Sequence, residues 1–139
     1  MNAAELHALY APLWEKVPAT KPSVLLGWDW DTGLYFLRPP DFCEIAHSDD
    51  ERVVAANAAL CRVAVEDWLL HNNDIRPYRN MGEDLLLYPL RAQGDGPVGG
   101  YAVQLTRAFS SATRFPGPTI HHTLVAAALA VHAALAPAN

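Results

Sequence analysis

The stretch Gly27-Trp28-Asp29-Trp30-Asp31-Thr32-Gly33 places the tightest local constraint on this chain. Two tryptophans alternate with two aspartates, and the alternation ends in a Thr-Gly pair. Period-two alternation belongs to a strand, where successive side chains point to opposite faces. Asp31-Thr32-Gly33 is turn chemistry, because glycine can adopt the positive φ that a tight hairpin needs. Val24 to Trp30 and Leu34 to Leu37 therefore predict a β-hairpin, terminated by Pro39-Pro40. With Trp28 and Trp30 turned inward, Asp29 and Asp31 would face water simply because their neighbours are buried.

The hairpin follows an amphipathic helix over residues 3–17, in which Leu6, Leu9, Tyr10, Leu13, Trp14 and Val17 recur at three- and four-residue spacing. Asn2 is placed to cap its start, and Pro18 ends it. Ser48-Asp49-Asp50-Glu51 has capping-box spacing and predicts a second helix to about Leu70, through Val53, Leu60, Val63, Ala64 and Trp68. A second hairpin is expected from Asp84 to Ala92 and from Tyr101 to Phe109, joined by a glycine-rich loop; Pro89 suits an edge strand. Pro116-Gly117-Pro118 breaks the chain before Thr119, which caps a last helix reaching about Ala134. That helix is apolar on nearly every side, as expected of a helix between layers or in an interface. The order predicts an α+β fold, an antiparallel sheet of two hairpins packed with three helices, α-ββ-α-ββ-α.

A chain of 139 residues, 51% hydrophobic and 18% charged, has the size and core of a single domain spanning residues 1–139. The net charge is −5, concentrated in residues 1–70. Nucleic-acid binders carry a basic patch. Here the five C-terminal arginines, Arg76, Arg79, Arg91, Arg107 and Arg114, are the sole candidates for one, so nucleic acid is a disfavoured partner. Cys43 and Cys61 lack metal-site spacing and read as reduced thiols, which fits the cytoplasm. No signal peptide or membrane span is expected, since the apolar run Thr123–Ala136 is interrupted by His132 and short of the ~20 residues a span needs.

Asp29 and Asp31 are the candidate catalytic residues. Asp29-Trp30-Asp31 resembles the two-aspartate motif of haloacid-dehalogenase-type phosphatases, which would imply a nucleophile, an acid/base partner and Mg²⁺. However, Thr32 and Gly33 stand in swapped order, and no lysine follows Lys21. Asp31-Thr32-Gly33 also resembles the aspartic-protease signature, with Leu34 where alanine or serine is expected. Adjacent His121 and His122 point about 100° apart on a helix and cannot share one metal as an i, i+4 pair can. The Gly94–Gly100 loop lacks the Gly-Lys-Ser/Thr ending of a phosphate-binding loop. No cofactor or metal is called for. The candidate binding residues are Trp28 and Trp30, with the basic and aromatic cluster Arg76, Tyr78 and Arg79.

Gly27-Trp28 opening a hairpin, Pro39-Pro40 before a capped helix, and Gly117-Pro118-Thr119 leading into an Ala/Leu-rich helix resemble small α-β-α sandwich proteins of phages and prophages. The resemblance implies an accessory protein without assigned chemistry. The long Val53–Leu70 helix departs from that pattern. The leading expectation is a non-enzymatic module that binds a protein partner or dimerises through its apolar third helix or its tryptophans. The alternatives are a small hydrolase using Asp29 or Asp31, and nucleic-acid binding through the arginines.

Overall fold

The computed structural model describes residues 1–29, 31–38, 50–72, 85–91, 98–105 and 113–135. The chain divides into two compact units, Met1–Val65 and Glu66–Asn139. The α+β class is present, and the predicted helices and hairpins follow in their predicted order with one further strand before the last helix: α1 (Ala3–Lys16), β1 (Leu25–Asp29), β2 (Leu34–Arg38), α2 (Glu51–Asn72), β3 (Leu85–Arg91), β4 (Val98–Leu105), β5 (Thr113–Gly117) and α3 (Ile120–Leu135). The unit boundary falls inside α2. The hairpins occupy separate antiparallel sheets, one ordered β1-β2 and the other β3-β4-β5.

In the first unit, Asn2 caps α1 as expected. Its side chain accepts the Glu5 N–H at 2.8 Å, and Glu5 accepts the Asn2 N–H in return. Leu6, Tyr10, Leu13 and Trp14 are buried, with Trp14 stacked on Tyr10 and edge-on to His7. Pro18 ends the helix and begins a single 3-10 turn, Pro18–Thr20, in which the Thr20 hydroxyl donates to the Val17 carbonyl at 2.7 Å.

The start of α2 differs from expectation. Helical structure begins at Glu51, and Asp50 is the capping residue, its carboxylate accepting the Arg52 N–H at 2.9 Å. The Ser48 of the predicted box lies outside the described residues. Asp50 stands one residue before the first helical turn, where its oxygen accepts the Arg52 N–H and not the Glu51 N–H that a Ser48 box would satisfy. The buried stripe of α2 is Val53, Asn57, Cys61, Val65 and Leu69, each four residues after the last. Val63, expected among the helix's apolar positions, is exposed.

In the second unit, β4 pairs with β3 on one side and β5 on the other. Pro89 thus sits in an edge strand, where a missing N–H is tolerated. Strand β5 was not foreseen: Pro116 and Gly117, read as chain breakers, form its last two residues, opposite Ala102 and Tyr101. Thr119 caps α3 as predicted, accepting the His122 N–H at 3.2 Å. Helix α3 packs on β4 and β5. Thr123, Leu124, Val125, Ala127, Ala128 and Val131 are buried, while Ala126, Ala133 and Ala134 are exposed. No described helix is long and apolar enough to cross a membrane.

Candidate interaction surface

The β1–β2 hairpin holds most of the described candidates. Leu25 to Asp29 pair with Arg38 to Leu34 in strict antiparallel register. The turn closes where the Gly33 N–H donates to the Asp29 carbonyl at 2.8 Å, and Gly33 adopts the expected positive φ of 68°. The Asp29 carboxylate accepts the Asp31 N–H at 2.9 Å. This is an Asx turn, in which a side-chain oxygen stands in for a backbone acceptor. Asp29 thereby holds the turn, while Asp31 is exposed beside it. Among the described residues, no group of three or more His, Cys, Asp or Glu side chains gathers where a metal could bind.

The burial of β1 reverses the predicted faces. Its buried residues are Leu25 and Gly27, which share a face with Asp29, whereas Trp28 is half-buried on the other. Two contacts explain the reversal. The Phe36 ring covers Gly27 so closely that a Cβ at position 27 would lie 2.5 Å from its Cζ. On the opposite face, Trp28 meets Tyr35 edge-on, with ring centroids 4.7 Å apart. The tryptophan is thus in contact with its cross-strand neighbour. Trp30, Arg76, Tyr78 and Arg79 lie outside the described residues, as do Arg107 and Cys43.

The two edges of this hairpin differ. At β1, the Leu26 N–H donates to Asn57 Oδ1 at 2.6 Å, and Asn57 Nδ2 donates to the Leu26 carbonyl at 3.0 Å. Asn57 itself is fully buried in α2, so one side-chain amide imitates a neighbouring strand. Because Leu26 turns its backbone groups toward Asn57, the alternation of an antiparallel ladder makes Leu26↔Leu37 and Trp28↔Tyr35 non-hydrogen-bonded pairs. Tyr35 and Leu37 therefore direct their N–H and C=O groups to the far edge of β2. Among the described residues no strand pairs with that edge.

The same strand presents four consecutive large apolar residues to water: Leu34, Tyr35, Phe36 and Leu37 are 65%, 39%, 41% and 63% exposed. Arg52, in the first turn of α2, places its guanidinium 5.6 Å from the centre of the Tyr35 ring and pairs with Asp50 at 3.4 Å. The Asp50 carboxyl is held below its ordinary range by the Arg52 N–H and then by the Arg52 side chain. Sequence reasoning predicted β2 as a strand but not as an exposed surface, because Leu34 to Leu37 read as an ordinary apolar strand and nothing local signals that they stay in water.

Elsewhere the titratable groups serve the fold. Burial pushes the Cys61 thiol up to about 12, which leaves it protonated and unreactive at neutral pH. His71 bonds the Asp67 carbonyl at 2.7 Å in the last turn of α2, and His122 meets the Thr119 hydroxyl at 2.7 Å in the first turn of α3. Arg114 bonds Gln104 across β4 and β5 at 3.3 Å. No protein-family model, curated protein or solved structure matches the chain.

Proposed function

We propose that this protein is a non-enzymatic interaction module that acts through its β1–β2 hairpin. The supporting observation is the coincidence of four exposed apolar side chains with an edge of β2 that no described strand pairs with. The four side chains leave roughly 400–500 Å² in water, divided by strand alternation between Leu34 and Phe36 on one face and Tyr35 and Leu37 on the other. An exposed apolar edge invites pairing with another chain, and folds that do not use such an edge blunt it with charge, proline or a bulge. Residues 34–37 contain none of these, and charge and proline come only at Arg38 and at Pro39-Pro40 in the sequence that follows. A partner strand on β2 would gain main-chain hydrogen bonds from Tyr35 and Leu37, together with cover for the apolar side chains. A protonated, buried Cys61 fits a reducing, cytoplasmic setting.

A photo-crosslinking residue placed at position 37 in the intact chain tests this reading in the producing cell. Discrete protein adducts are expected from position 37 and not from position 63, which is equally exposed on α2. Absence of adducts at position 37, or the same adducts from both positions, would remove the hairpin as the contact surface.

A further inference from the structure

We draw no further inference here: the strongest candidate, the exposed apolar side chains of strand β2 from Leu34 to Leu37, belongs to the surface already described, and nothing in the structure shows what covers it.

Discussion

Two apolar surfaces that look alike in the sequence meet different fates. In the second unit, α3 is apolar on nearly every side, yet it packs on β4 and β5, and among the described residues none of the exposed large hydrophobic ones belongs to it. In the first unit, β2 is shorter, but it leaves Leu34 to Leu37 in water. Each surface is organised by one buried polar residue on a helix. Thr123 of α3 accepts the Val103 N–H at 3.1 Å and donates to the Phe115 carbonyl, joining two residues that face each other across β4 and β5. Asn57 of α2 takes both backbone groups of Leu26 and so closes β1. The difference is which edge gets closed: Thr123 ties a helix to two strands, whereas Asn57 protects one edge of a hairpin and leaves the other open.

The contrast can be broken at either residue. Thr123→Val keeps the shape but strands a buried amide and a carbonyl, so a loss of about 2–4 kcal/mol is expected in urea unfolding, with Thr123→Ser recovering most of it. A change under about 0.5 kcal/mol would mean that the hydroxyl does not hold α3 to its sheet. Asn57→Leu should cost less, about 1–3 kcal/mol, because Leu26 is only partly buried and water can replace the amide. A change under about 0.5 kcal/mol would mean that Leu26 does not depend on the Asn57 amide.

Much of the fold was legible from local chemistry. The Asn2 and Thr119 caps, the Gly33 turn and the edge position of Pro89 all follow from single residues acting within a few positions of themselves. What escaped depends on distant neighbours. Strand β5 contains a Pro-Gly pair that reads as a break, and only pairing with β4 makes it a strand. The inward turn of Trp28 was predicted from hydrophobicity, but the Phe36 ring over Gly27 fixes the opposite face. Asn57 and Thr123 are polar and were passed over, although each stands in a four-residue series with buried residues. Asn57 falls between Val53 and Cys61, and Thr123 precedes Ala127 and Val131. A polar residue on an apolar stripe is the signal that would have found both. The exposed strand had no such signal, because apolar alternation says that a face can be buried and not that anything covers it.

Amide hydrogen exchange on the unmodified chain in dilute solution tests the open edge most directly. The Phe36 amide, turned toward β1, should be protected, while those of Tyr35 and Leu37 should exchange rapidly. Exchange at Tyr35 and Leu37 as slow as at Phe36 would contradict an open edge.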